Sequence, residues 1–288
     1  MSLGALGLLF LRRKNRMTQL INPRKFTNAV SLLRDFFLTK GFEEVHTQNR
    51  LSILAACEDP ENVASYNYEG QVWPLPQTGQ MWLEHELLNS PDSKGFFCVS
   101  TSYRQEPNAI PGRHDTIFPM FEFEMPGDIN DLKRMEYELC DFLGFGTITE
   151  KTYNEWQQHY GVSAKTELDA QHELAMQASF GPCMITDFPE MTSPFWNMSR
   201  NEDGTSRKID VILGGMETIG SAERSIDKEQ MRDTFHTISD GEYAGLIKSL
   251  FGDDRVEAEL EKFLEFDFFP RVGGGIGMTR MIAALDKL

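Results

Sequence analysis

An α+β domain, in which a mostly antiparallel β-sheet is flanked by helices, is the fold class this sequence predicts, and three observations carry that reading. Segments with helical periodicity are interleaved with runs of strand alternation, and several of those strands follow one another through short turns, as antiparallel pairing requires. The 288 residues are 40% hydrophobic and 25% charged, with Pro and Gly scattered, which suits one sizeable core. No internal repeat, low-complexity tract or Ser/Pro-rich linker marks a domain boundary.

Taken in order, Phe26, Val30, Leu33 and Phe37 recur at helical spacing up to Gly41, a residue suited to ending a helix, and the strand FEEVHT follows. GQMWLEHELL reads as a helix, FFCVSTSYRQE as a strand and TIFPMFEFE as its antiparallel partner across a long loop. Helices are expected over 129–143, 150–160 and 167–180. CMITDF, PFWNMS, RKIDVIL and METIGS then read as strands, and further helices fill 227–264. FFPRV leads into GGGIG and a closing helix, MTRMIAALDKL.

Charge narrows the function. Lys and Arg number 28 against 44 Asp and Glu, and the net charge of −16 disfavours broad nucleic-acid binding. The four cysteines, Cys57, Cys98, Cys140 and Cys183, show no CxxC or Cys/His spacing of a metal site and fit a reduced, cytoplasmic protein. The apolar run in MSLGALGLLFLRRKNRM is too short to span a bilayer, and its positive charges follow rather than precede it. Residues 1–16 read as a tail and 17–288 as one domain, with Met17 as a start.

The stretch YRQEPNAIPGRHDTIFPMFEFE concentrates the chemistry. In a strand, residues two apart share a face, so Arg104 and Glu106 point one way. On the return strand Phe118, Met120, Glu122 and Glu124 share one face and Ile117, Pro119, Phe121 and Phe123 the other. A half-solvated hairpin accounts for the alternation alone. A nucleoside triphosphate accounts for the rest: guanidinium groups on phosphate, a carboxylate toward the adenine edge and an aromatic ring under the base.

RxE, a loop, RHxxxF and ExE together resemble motif 2 of class II aminoacyl-tRNA synthetases, in particular the aspartyl/asparaginyl/lysyl subclass, whose catalytic fold is the antiparallel α+β type expected above. The resemblance implies Arg104 on the α-phosphate, Glu106 near the adenine amino group, Arg113 and His114 toward the outer phosphates, and Phe118 stacked on adenine. Ile117 stands where the subclass usually has Glu.

GGGIGMTR is neither a P-loop, since no GK[ST] follows, nor a dinucleotide fingerprint, which needs a following βαβ unit and an acid ~20 positions on. Glycines that allow close helix–sheet packing are one reading. The resemblance to motif 3 implies another: Gly275 and Gly277 at ATP, and Arg280 over adenine and on the γ-phosphate. Thr279 departs from the usual acid. Upstream, a two-residue turn at Gly214-Gly215 would place Asp210 diagonally from Glu217, with Cα atoms about 7–8 Å apart. Two such acids repel unless a cation or donors lie between them, and Mg²⁺ on ATP phosphates is the natural candidate. A solvated hairpin tip is the other reading; the subclass has metal ligands here.

RDFFLTKGFEEVHTQ resembles motif 1, the dimer-forming helix and strand, with Gln48 where the motif has Pro, so a homodimer is implied. Cys57-Glu58 and TGQMWLE resemble asparaginyl-tRNA synthetase segments and imply that Glu58 and Gln80 hold the α-ammonium. The resemblance further implies Phe195 and Trp196 along the amino-acid pocket, with Arg224 on the substrate side chain. Strict alternation from Glu217 turns Arg224 to the wrong face, so a bulge or bend near Gly220-Ser221 is required. Leu83 occupies the place of the Lys that meets an aspartate β-carboxylate, and an unpaired buried carboxylate is costly. Asparagine is therefore favoured, with aspartate next. The motif 1 helix begins near residue 24, which leaves no room for an anticodon-binding domain and makes tRNA an open partner. The implied chemistry is ATP-dependent formation of an aminoacyl-adenylate. An ammonia-dependent asparagine synthetase and a non-catalytic regulatory paralogue are the two rivals, the latter kept open by Gln48, Ile117 and Thr279.

Overall fold

Asn22 and Pro23 start the first helix. The Asn22 side chain accepts from the Arg24 amide at 3.0 Å, and Pro23 stands where a missing N–H costs nothing. The computed structural model describes residues 20–47, 63–105, 115–192 and 194–288. Helix α1 (Pro23–Thr39) leads to the short strand β1 (Glu43–Glu44), a hairpin of β2 (Ser65–Tyr68) and β3 (Gln71–Pro74), and helix α2 (Gln80–Asn89). Strands β4 (Phe96–Tyr103) and β5 (Ile117–Pro126) form the long-looped antiparallel pair, followed by α3 (Ile129–Phe142). Next come β6 (Thr149–Thr152), α4 (Tyr153–Tyr160), α5 (Ala170–Phe180), β7 (Cys183–Phe188), β8 (Ser206–Leu213) and β9 (Met216–Glu223). Helices α6 (Lys228–Thr237), α7 (Glu242–Phe251) and α8 (Asp253–Leu264) precede β10 (Arg271–Gly277) and α9 (Met278–Leu285).

Eight strands form one sheet in the order β1-β4-β5-β10-β9-β8-β7-β6, antiparallel except for the parallel pairs at its two edges. One face is covered by α1, α3 and α9, whose apolar stripes meet Phe97, Phe121, Phe123, Ile209, Val211 and Ile276. Phe37 of α1 anchors this layer, its ring 5.1–5.9 Å from those of Phe42, Phe97, Phe121 and Phe123. Removing such a ring typically costs about 3–5 kcal/mol. On the other face, α2 packs on the β4 end with Leu83, Leu87, Phe96 and Cys98, while α4 and α5 pack on the β7 end around Trp156 and Met176. The centre of that face is left open as a cleft.

Four sequence expectations change. PFWNMS is not a strand: only Met198 bridges, to Arg224, because the segment turns to pass beneath the cleft. Residues 149–152 extend the sheet before the helix begins at Tyr153, with Thr152 and Glu155 as a capping box. GGGIG is itself a strand, paired on both sides. The β2–β3 hairpin had no counterpart in the sequence reading.

Candidate active site

The glycine-rich strand β10 lies between β5 and β9, and its register builds the cleft floor. One rung runs Lys208, Ala222, Gly273, Glu124; the next runs Asp210, Gly220, Gly275, Glu122. Each has a charged β8 residue at one end, a β5 acid at the other, and almost no side chain between. The result is a cavity of about 290 Å³. The glycines are needed for space, not for turning: a Cβ on Gly273 would overlap the Glu124 carboxylate, and one on Gly275 would lie 2.7 Å from the Met120 methyl.

The structure brings the expected residues to this cavity. Arg104, just after β4, and Phe118 of β5 line it, the guanidinium 5.3 Å from the ring centroid. Gly275, Gly277 and Arg280 line it from β10 and α9, and Arg280 donates to the Glu217 carbonyl at 2.6 Å. Gln80, Phe195, Arg224 and Glu217 complete the wall. Trp196, expected beside Phe195, instead packs away from the cleft against Phe235 and Phe263, since a side chain that large fits the apolar layer of α6–α8. Glu58, Glu106, Arg113, His114 and Gln48 lie outside the described residues.

Gly214 and Gly215, both with positive φ, make the expected two-residue turn, and Ile212 faces Glu217. The bulge that Arg224 requires is present, but two residues earlier than expected. Pairing jumps from Ile212–Glu217 to Val211–Ile219, so Thr218 is the extra residue. The consequence is that Glu217, Gly220 and Arg224 share the cleft. Gly220 sits where the Asp210 and Glu217 carboxylates converge: its missing Cβ would lie 3.1 Å from Glu217 Oε1 and 3.5 Å from Asp210 Oδ1.

Asp210 is buried, and its Oδ1 has no hydrogen-bond partner. Burial pushes its pKa up to about 7, with Glu217 adding to the rise and Lys208 opposing it. Lys208 Nζ donates to Oδ2 at 2.8 Å and lies 4.0 Å from the Phe188 ring centroid. Among the described residues no group of three or more His, Cys, Asp or Glu is arranged to hold a metal. The orphan Asp210 oxygen, the Glu217 carboxylate and the bare Gly220 leave room there for a group that brings its own ligands.

At the opposite end lies a fully buried cluster of two acids and two arginines. Arg224 donates from Nε to Glu124 Oε1 and from a terminal nitrogen to Oε2, both at 3.2 Å. Arg271 donates to Glu84 at 2.7 and 3.1 Å, and Asn197 donates to the other Glu84 oxygen at 2.7 Å. Gln80 donates its amide to Glu124 and to the Phe123 carbonyl. Burial pushes Glu124 up to about 7, while Arg224 pulls it back. Three donors aimed at one carboxylate favour its ionised form. Beside it, Glu122 receives the Gly79 amide and the Thr78 and Ser100 hydroxyls, which pins the start of α2 to the cleft wall.

A family description, tRNA synthetases class II (D, K and N), matches residues 7–288. The chain belongs to this family. Its curated relatives include a lysine–tRNA ligase of Vibrio campbellii, 22% identical over 91% of this chain and 60% of that protein, and an asparagine–tRNA ligase of Desulfotalea psychrophila, 25% identical over 96% and 70%. The chain thus spans about 60% of the length of the first of these. Among solved structures, asparaginyl-tRNA synthetase from Pyrococcus horikoshii complexed with asparaginyl-adenylate superposes with a TM-score of 0.76, at 19% identity over 92% of this chain and 65% of that one. The Entamoeba histolytica asparaginyl-tRNA synthetase with asparaginyl-adenylate gives 0.72 at 16%, over 91% and 63%. This likeness is one of fold, and it is the antiparallel α+β class II synthetase core.

Within this class II core, sequence reasoning missed Lys208, Arg271 and the part played by Glu84. The signals were there in part. Lys208 and Asp210 share a strand face by alternation, and Arg271 is a lone cation between Pro270 and an apolar, glycine-rich strand. Glu84 carried no such mark, because its partners come from residues more than a hundred positions away.

Proposed function

We propose that this class II domain binds ATP and asparagine in the cleft and joins them as asparaginyl-adenylate, releasing pyrophosphate. The observation that carries the choice of amino acid is the buried Arg224–Glu124 pair, whose arginine lines the cavity together with Arg104 and Arg280. A side-chain carboxamide complements that pair: its oxygen accepts from Arg224 and its NH₂ donates to Glu124. An aspartate carboxylate would face the Glu124 carboxylate, and a lysine ammonium would face Arg224. Leu83 offers no help to aspartate, being buried among Leu87, Phe96 and Cys98.

In this reading the substrate carboxylate attacks the α-phosphorus of ATP. Arg104 stabilises charge on the α-phosphate, Phe118 stacks on adenine, Arg280 meets the γ-phosphate, and Gly275 and Gly277 let the nucleotide approach the backbone. By resemblance to the family's motif, Glu106 is assigned to the adenine amino group and Arg113 and His114 to the outer phosphates. Gln80 spends its N–H groups on Glu124 and Phe123, so its oxygen is what it offers the α-ammonium, together with Glu58; Phe195 closes the pocket. Asp210 and Glu217 would hold Mg²⁺, which when bound neutralises the triphosphate. Catalysis is then positioning and electrostatic stabilisation, with no protein nucleophile. The motif 1-like α1 and β1, with Leu38 exposed on α1, form the segment we assign to a second copy of the chain, testable by light scattering.

ATP–pyrophosphate exchange with asparagine, aspartate and lysine tests the reading. Exchange is expected with asparagine foremost; a preference for lysine would overturn the assignment. Adding tRNA or ammonia then shows which acceptor discharges the adenylate. An ammonia-using asparagine synthetase would instead consume ATP with aspartate.

A further inference from the structure

The Asp210–Glu217 site contains a cation of its own. Lys208 precedes Asp210 by two residues on β8, so both side chains leave the same face of the strand, and the ammonium reaches Oδ2 at 2.8 Å. Its ammonium also sits over the Phe188 ring, 4.0 Å from the centroid, and its side chain is about one fifth exposed, so it is a wall group of the cleft. The two oxygens of Asp210 therefore face different ways. Oδ2 is taken by Lys208, while Oδ1 is buried, lacks a partner and, like Glu217 Oε1, lies beside the bare Gly220. Glu217 is bounded on its far side by Arg280, 3.7 Å away.

We propose that Lys208 is a tethered counter-cation that makes divalent-metal binding at Asp210 and Glu217 depend on nucleotide. Two facing acids with no cation would attract a free divalent ion. With Lys208 already on Asp210, the acid pair carries one net negative charge less, and an incoming ion would lie close to an ammonium. An ion that arrives on a triphosphate brings compensating negative charge and extra oxygen ligands, and meets no such penalty. The same ammonium faces the cleft, so it also supports binding of the triphosphate when no metal is present. Lys208 thus orders the events: metal enters with nucleotide rather than ahead of it. This inference rests on the ATP-binding reading above.

The test is metal and nucleotide binding without turnover. Mn²⁺ alone is titrated into the protein by electron paramagnetic resonance, and ATP is titrated by calorimetry with EDTA and with excess Mg²⁺. Lys208→Gln keeps a hydrogen-bond donor for Asp210 and removes the charge; Lys208→Arg keeps the charge. Mn²⁺ alone is expected to bind at least tenfold more tightly to Lys208→Gln than to the natural chain, and metal-free ATP at least tenfold more weakly, while Lys208→Arg resembles the natural chain in both. Equal Mn²⁺ affinity for Lys208→Gln and the natural chain would overturn the proposal, as would a Lys208→Arg protein that binds Mn²⁺ as tightly as Lys208→Gln. Failure of the natural chain to bind ATP under any condition would instead remove the functional reading, leaving the metal-alone comparison to judge Lys208 separately.

Discussion

Replacing Glu124 with Gln changes one atom and one charge at the point where the account places substrate choice. The Glu124 carboxylate receives both Arg224 donors at 3.2 Å and the Gln80 amide, and Arg224 Nε lies 3.6 Å from Glu84. In the variant, Arg224 and Arg271 face Glu84 alone, so the buried cluster gains one positive charge. The acceptor for an asparagine NH₂ is weakened, and the cluster becomes hospitable to a second carboxylate. A hydrogen bond to a charged group is worth about 1.5–3 kcal/mol. Its loss lowers kcat/KM for asparagine by about 10–200-fold. Aspartate should move in the opposite direction. Pyrophosphate exchange with each amino acid, measured on natural and Glu124→Gln proteins, gives the ratio directly. A ratio of asparagine to aspartate that stays the same would refute the pairing of Glu124 with the substrate amide.

Two further outcomes follow from the same geometry. Gly273→Ala puts a methyl group into the Glu124 carboxylate and 2.5 Å from the Phe123 carbonyl oxygen, so it should cost about 1–3 kcal/mol of stability and reduce exchange at least tenfold; denaturant titration and exchange check both. Glu136 of α3 is buried behind the sheet, bonded to the Ser221 hydroxyl at 2.6 Å, and burial pushes its pKa from 4.5 up to about 8. The folded state therefore keeps a proton that the unfolded chain has lost. Stability on this account is fully present below about 4.5 and declines as pH rises toward 8, by up to about 1.4 kcal/mol per pH unit. Glu136→Gln removes that slope, so the melting-temperature difference between variant and natural protein should widen from pH 5 to pH 8 and then level off. A constant difference would contradict a protonated Glu136.

Much of the architecture was legible because it is written in local periodicity. Alternation along TIFPMFEFE sorted Phe121 and Phe123 to the core and Phe118, Met120 and Glu122 to the cleft, and the structure agrees. The Gly214-Gly215 turn and the need for a bulge before Arg224 were also readable, since both follow from counting faces along a hairpin. The position of the bulge was not: any of the residues between Glu217 and Arg224 would restore the face, and only packing of Ile219 into the core selects Thr218 as the extra one. Trp196 went to the helical layer rather than the pocket for the same reason, because the layer's identity depends on Phe235 and Phe263, far along the chain. The four-residue charge cluster escaped sequence reading, since its pairs Glu84–Arg271 and Glu124–Arg224 span 187 and 100 residues.

The central claim is that one cleft makes an amino-acid adenylate. Trapping that product with hydroxylamine tests it most directly: the protein is incubated with Mg·ATP and each of the twenty amino acids, and the hydroxamate is measured, with Arg104→Ala alongside. Asparagine hydroxamate is expected above all others, reduced on the order of 10²–10³-fold in Arg104→Ala, as loss of one transition-state donor does elsewhere. Bound ATP with no hydroxamate from any amino acid, or a yield indifferent to Arg104, would contradict it.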